Sequence, residues 1–377
     1  MSVSISAPKP NLPPIEPSIE KCAIYQPGKP IEELERETGI RDIIKLASNE
    51  NPLGPSPKAM AAIRDALPAL NLYPDATHFN LRAKLASRLQ INVDEVYVGS
   101  GSEEVFCTLV RSFCRPGDNT VGCGAAFIAY RVQTEVHGAQ YREPKLSRNP
   151  EEEMEGLLKL VDEKTRIVFL PNPNNPTGSY LNRKQLKNIL DKLKGRNIIV
   201  LLDYAYREYA RAADLPGAME FYKDYPNLIV TGTFSKIYGL GGLRVGYAAA
   251  HPDILLPMRK VKTPFNVSSL GLVGALAALD DDDHVRRSIE TNAEGLAFLE
   301  KEFKRMGFDY WPSQGNFLLV KMPVEGFTVY QELLKKGVIL RPVGGYGLKE
   351  YIRITVGTMP ENKRMLSALE EVLRVLN

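Results

Sequence analysis

Lys236 stands just past the apolar run Leu228-Ile229-Val230, after Thr231, Thr233 and Ser235, and a glycine-rich turn leads from it to Arg244. An idle lysine there is costly, because a desolvated ammonium loses its hydration. A lysine that reacts as an amine benefits from the same desolvation, which lowers its pKa. Three other apolar runs end in groups able to do chemistry. Glu95-Val96-Tyr97-Val98 enters Gly99-Ser100-Gly101-Ser102-Glu103, where a tight turn and the open N–H groups of a following helix make an anion site. Thr165–Leu170 enters Pro171-Asn172-Pro173-Asn174-Asn175-Pro176, a loop whose prolines stiffen it around the asparagine amides. Asn197–Leu202 ends in Asp203-Tyr204-Ala205-Tyr206, and a carboxylate at the end of so apolar a strand needs a cation. Taken singly, the asparagine loop also reads as a plain turn, and Asp203 also reads as a helix N-cap.

Ligands in open α/β sheets bind beyond the carboxyl ends of the strands, so these ends should meet. Pyridoxal 5′-phosphate uses all of them: it needs a lysine imine, an acid at its pyridine nitrogen, donors to its phenolic oxygen and an anion site for its phosphate. On this reading Lys236 is the imine lysine and Asp203 keeps the ring nitrogen protonated. Asn175 and Tyr206 donate to the phenolic oxygen. Ser102, Ser235, Arg244 and the N–H groups of the turn Gly101-Ser102-Glu103 hold the phosphate. The expected reaction is transamination, with Lys236 moving a proton as base and then acid. The same glycine turn opens like a dinucleotide fingerprint but lacks its third glycine, which argues against a nicotinamide oxidoreductase.

Short β-branched runs alternating with helical stretches predict an α/β fold with a mostly parallel central sheet covered by helices on both faces. Strands are expected at 43–47, 95–98, 119–123, 165–170 and 197–202, and helices at 57–67, 79–90, 105–113, 182–194 and 270–279. The acid run Asp280–Asp283 should start a long helix, since aspartates favour a helix N-terminus. From Phe308 the pattern becomes α+β, with strands at 317–321, 338–341 and 351–356 and a last helix at 361–376. The expected organisation is a large cofactor domain over 46–280 and a smaller α+β domain combining 1–45, whose first twenty residues read as a flexible arm, with 281–377.

The chain has 377 residues, 44% hydrophobic and 25% charged, with a formal charge of +3. That near-balance gives no support to nucleic acid as a partner. The four cysteines, Cys22, Cys107, Cys114 and Cys123, form no C-x-x-C pair and fit no zinc spacing, so they read as reduced thiols of a cytoplasmic protein without a metal. Met1–Pro14 lacks the apolar core of a secretion signal, and no apolar run is long enough to cross a bilayer. A soluble protein with no membrane partner is expected.

Asn174-Asn175-Pro176-Thr177-Gly178, Asp203-x-Ala205-Tyr206 and Ser235-Lys236 with Arg244 resemble the fold-type I pyridoxal-phosphate aminotransferases of class II. Within that family, Ile24–Pro30, Leu46–Pro52, Tyr73-Pro74-Asp75, Arg341-Pro342 and Arg353–Gly357 are similar to the histidinol-phosphate aminotransferases. The resemblance runs from about Ile15 to the end. It implies a homodimer with active sites at the interface, Tyr73 reaching the partner's cofactor phosphate and Tyr25 the partner's substrate. It also implies Phe127 stacked on the cofactor ring, Arg353 and Arg341 on the substrate's anionic group, and Asn49 in the substrate site. The implied substrates are L-histidinol phosphate and 2-oxoglutarate. The chain departs from the family at Phe127, usually tyrosine, and at Tyr204, usually an acid; stacking survives the first change. The same resemblance leaves open an aromatic amino acid aminotransferase and a lyase such as a threonine-phosphate decarboxylase. A regulator that keeps the cofactor domain as a sensor would carry a DNA-binding segment ahead of Leu46, where only a short proline-rich arm is read.

Overall fold

The computed structural model describes residues 12–20, 22 and 28–376. Strand β1 (Ile44–Lys45) precedes the main sheet, formed by β2 (Val96–Gly99), β3 (Asn119–Gly122), β4 (Gln140–Arg142), β5 (Thr165–Pro171), β6 (Ile199–Asp203), β7 (Leu228–Thr233) and β8 (Gly246–Ala249). These seven lie in the order β2-β8-β7-β6-β5-β3-β4. β8 runs antiparallel to β2 and β7, and the other neighbours pair in parallel. The central strand β6 is buried throughout, as a strand must be when helices cover both faces. One core cluster holds Phe106, Tyr130, Phe169 and Leu201. Another holds Leu85, Val98, Phe234 and Val245.

The rest of the chain builds β9 (Tyr310–Trp311), β10 (Phe317–Lys321), β11 (Val338–Ile339), β12 (Arg341–Pro342) and β13 (Tyr351–Thr355). The order β12-β13-β10-β9 makes a four-stranded antiparallel sheet, while β11 pairs in parallel with β1. Ile44 and Leu46 share a core with Phe303, Leu318, Ile352 and Leu369, which draws this early segment onto the late elements. Among the described residues no helix is long and apolar enough to cross a membrane.

Three differences from expectation have physical causes. The helix after β2 starts at Gly101 rather than near 105; Gly101 takes φ +74°, and Glu104 closes the turn by accepting from Ser100 N at 2.5 Å. β8, with the sequence Gly-Tyr-Ala-Ala, has no β-branched residue to announce it. The apolar run 338–341 splits between two sheets, β11 on β1 and β12 on β13. The acid run does start a helix, Asp282–Arg305, capped by Asp281. Asp281 also accepts from Ser56 Oγ at 2.6 Å, and Ser56 caps the helix Pro57–Ala66, so one carboxylate fastens two helix starts.

Candidate active site

The carboxyl ends of β2, β5, β6 and β7 open into one cleft of about 220 Å³. It is lined by Asn49, Ser102, Glu103, Phe127, Asn175, Asp203, Tyr206, Ser235, Lys236, Arg244, Arg341 and Arg353. Residues far apart in sequence meet because parallel strands all deliver their carboxyl ends to the same edge.

Lys236 donates from Nζ to Ser48 O at 3.0 Å and lies 5.7 Å from the centre of the Tyr206 ring. Burial lowers its pKa to about 7; Arg353 and Arg244 push the same way, and Glu50 and Asp203 oppose them. Asp203, at the buried end of β6, accepts from Tyr130 Oη at 2.6 Å, Thr231 Oγ1 at 3.1 Å and Ala205 N at 3.1 Å. Burial raises its pKa, and these donors hold the rise back.

Arg353 is buried on β13. Its Nη1 donates to Asn175 Oδ1 and its Nη2 to Ala47 O, both at 2.5 Å. A guanidinium only donates, so it fixes the Asn175 amide with its oxygen toward Arg353 and leaves the NH2 as the group a ligand can use. Arg341 stands opposite Arg353 in the β12–β13 register, which places the two arginines side by side. Tyr206 accepts from Asn49 Nδ2 at 3.0 Å and keeps its own proton to donate; burial pushes its pKa up to about 12. Asn49 sits at φ 54°, held by Thr355 Oγ1, which accepts from its N at 2.9 Å and donates to its Oδ1 at 3.0 Å.

The anion cradle is built by close approach. A Cβ on Gly101 would lie 2.6 Å from Arg244 Nη2, and one on Gly246 would lie 2.3 Å from Ser102 N. Only glycine lets the helix start, Arg244 and β8 come this near. Arg244 Nη1 donates to Ser235 Oγ at 3.3 Å and Gly241 O at 3.1 Å, so its guanidinium is fixed beside the first N–H groups of the helix Gly101–Phe113. Glu103 is exposed at the cleft mouth, which leaves its backbone N–H rather than its carboxylate as the group for an anion. Phe127 immediately precedes the helix Ile128–Val136 and is half-buried.

Tyr73 is not in this cleft. It is 83% exposed and stacked on Phe265 at 4.7 Å, in a stretch with exposed Leu67, Leu70 and Leu72. Tyr25 lies outside the described residues. The sequence gives no role to Ser48, Thr231, Thr355 or Tyr130, which hold Lys236, Asp203 and Asn49. Tyr130 stands three residues after Phe127 and therefore on the same side of a helix, but that spacing does not point to Asp203.

A mostly parallel sheet whose strand ends gather a buried lysine, a buried aspartate and an anion cradle defines a class, and residues 41–369 match the family described as aminotransferase class I and II. The chain belongs to that family. Histidinol-phosphate aminotransferase 2 of Pseudomonas fluorescens is 44% identical to it over 360 residues, 95% of this chain and 97% of the relative. The histidinol-phosphate aminotransferase of Akkermansia muciniphila is 43% identical over 351 residues, 93% of this chain and 96% of the relative. Among solved structures, histidinol-phosphate aminotransferase from Sinorhizobium meliloti in complex with pyridoxal-5′-phosphate aligns with a TM-score of 0.88 at 28% identity, covering 96% of this chain and 98% of that one.

Proposed function

We propose that the protein is a pyridoxal-phosphate-dependent aminotransferase of histidine biosynthesis that passes the amino group of L-histidinol phosphate to 2-oxoglutarate, giving imidazole acetol phosphate and glutamate. Near-full-length identity to relatives of that name supports the substrate. The observation that carries the chemistry is Lys236 Nζ, an amine with its pKa lowered to about 7, in one cleft with Asp203, Asn175 and Tyr206.

The residues present fit the cofactor. Asp203 is a buried carboxylate whose raised pKa calls for a cationic partner, which a protonated ring nitrogen would be. Gly101 and Gly246 keep open a cradle that a Cβ would fill. When bound, the cofactor supplies an electrophilic carbonyl and an electron-withdrawing ring. Lys236 Nζ takes a proton from the substrate carbon that bears the amine, and later returns one as an acid. Asp203 holds the ring nitrogen in its protonated form. The Asn175 NH2 and the Tyr206 hydroxyl would donate to the phenolic oxygen, and Phe127 would pack against the ring. Ser102, Ser235, Arg244 and the N–H groups of Ser102 and Glu103 hold the phosphate. Arg353 and Arg341 bind the substrate phosphate in one half-reaction and a carboxylate in the other; Asn49 fixes the Tyr206 hydroxyl on the substrate side.

A panel of amines mixed with the loaded enzyme, read by the cofactor's visible spectrum, tests the substrate. Histidinol phosphate should convert at least about 100-fold more efficiently than phenylalanine or tyrosine, and without CO₂, because a site that pairs a phosphate with two arginines penalises donors lacking one. Preference for the aromatic amino acids would move the assignment to an aromatic aminotransferase, and CO₂ release would move it to a lyase.

The working form proposed is a cytoplasmic homodimer in which Tyr73 reaches the partner's cofactor phosphate and Tyr25 the partner's substrate. Its exposed apolar neighbourhood supports that role for Tyr73. Sedimentation velocity should give a particle near twice the 42.0 kDa chain; full activity in a particle of one chain's mass would overturn it.

A further inference from the structure

We propose that Tyr130 is a positioning residue for Asp203: its buried hydroxyl fixes the carboxylate oxygen that faces a bound cofactor's ring nitrogen, and draws enough charge from that oxygen to keep the shared proton on the ring. This rests on the pyridoxal-phosphate reading above and adds a residue that the strand-end motifs do not contain.

The geometry leaves Tyr130 one role. Its hydroxyl lies 2.6 Å from Asp203 Oδ2, and the residue is 0% exposed. Burial holds the phenol well above its usual pKa, so it stays protonated and donates. The ring cannot swing away: it is stacked on Phe169 at 4.6 Å and 14°, and meets Phe106 edge-on at 4.9 Å. Its helix is tied down as well, because Thr134 Oγ1 donates to Tyr130 O at 2.8 Å and lies 2.8 Å from Thr120 Oγ1 on β3.

A carboxylate offers about four acceptor positions. Thr231 Oγ1 and Ala205 N use both on Oδ1, each at 3.1 Å. Tyr130 uses one on Oδ2. The remaining position belongs to Oδ2, the atom whose place and charge Tyr130 controls. The groups facing this pair are Lys236 and Tyr206 beside Asp203, with Tyr141 and Cys123 behind Tyr130. Lys236 is the cation among these, and it is the group that must shed its charge to work as a base, so it is no substitute for the phenol. The helix therefore has a double use: Tyr130 N donates to Phe127 O at 3.1 Å, and one turn brings the ring-stacking residue and the aspartate's partner together.

Tyr130→Phe keeps the packed ring and removes only the hydroxyl. With ring-¹⁵N-labelled pyridoxal phosphate bound, the nitrogen resonance of the wild-type protein should be that of a pyridinium, and in the variant it should move toward neutral pyridine. In cofactor-free protein with ¹³C-labelled aspartate, the Asp203 midpoint should rise by about one to two pH units. kcat should fall on the order of 10-fold with KM for the amino donor within about twofold. Thr231→Val, acting on the other oxygen, should shift the ¹⁵N signal less. An unmoved ¹⁵N resonance in Tyr130→Phe, or an equal shift in Thr231→Val, overturns the proposal. A measurement on the wild-type protein guards against misfolding of the variant: the Tyr130 hydroxyl proton should give a downfield, slowly exchanging resonance, and its absence would equally refute the bond. If the cofactor reading itself were wrong, labelled pyridoxal phosphate would not bind the wild-type protein at all, an outcome separate from all of these.

Discussion

Lys236→Ala should turn over at least about 10²–10⁴-fold more slowly than the parent enzyme, the range a lost general acid–base group commands. The surroundings offer no replacement. Tyr206 is held protonated with a pKa of about 12, and Asp203 is committed to three donors. The visible band that depends on a lysine-bound cofactor should disappear in the same variant; an unchanged spectrum would remove Lys236 from the mechanism. The residue also gives a stability signature that needs no cofactor. Its pKa drops from 10.5 in the unfolded chain to about 7 in the folded one, so between those values the unfolded state binds the extra proton and folding stability rises with pH. Below about 7 both states are protonated and the full penalty remains, on the order of 5 kcal/mol. Lys236→Met, which keeps the apolar stem, should therefore be more stable than the cofactor-free parent at pH 7, with the gap closing as pH approaches 10.5. Urea unfolding across that range checks it, and a pH-independent gap would refute the cause.

Arg353→Ala should lower kcat/KM for phosphate-bearing substrates by about 10²–10³-fold, as expected when a charge-assisted, two-pronged contact is lost. The structure adds a second consequence. Arg353 also holds Asn175 Oδ1 and Ala47 O, so truncation strands two buried acceptors and lets the Asn175 amide turn. The loss should thus appear in kcat as well as KM. Arg353→Lys separates the two effects: it keeps a positive charge for the phosphate but cannot fork to both acceptors, so KM should recover more than kcat. If the alanine variant changes KM alone, Arg353 does not position Asn175. If it changes little, the substrate is not held by its phosphate and a broader aminotransferase is favoured.

What was legible in the sequence was mainly contradiction. Asp203 and Lys236 stand out because a polar group closing a continuous apolar run makes no sense locally, and parallel-sheet topology then gathers such ends into one place. The main strands and the Asp282–Arg305 helix follow from the same local logic. Arg353 reads locally as an exposed strand charge; only the packing of β13 against Ala47 and Asn175 buries it. Tyr130 looks like any core aromatic at helical spacing, and nothing near it in the sequence mentions Asp203. β8 is small and unbranched, so its pairing is decided by the space between β2 and β7. Tyr73 lies on the surface of this chain among exposed apolar residues, and no pattern in its own stretch of sequence names its use.

The position of β8 also bears on how the protein is made. β2 joins the main sheet solely through β8, with Val96 opposite Ala249 and Gly99 opposite Gly246. Until residues 246–249 have left the ribosome, β2 is an unpaired edge and the turn after it has no Arg244 or Gly246 to face. Such distant pairings close late, because loop entropy must be overcome before they are rewarded. The cradle proposed for the cofactor's phosphate is therefore completed only once β8 is in place beside β2.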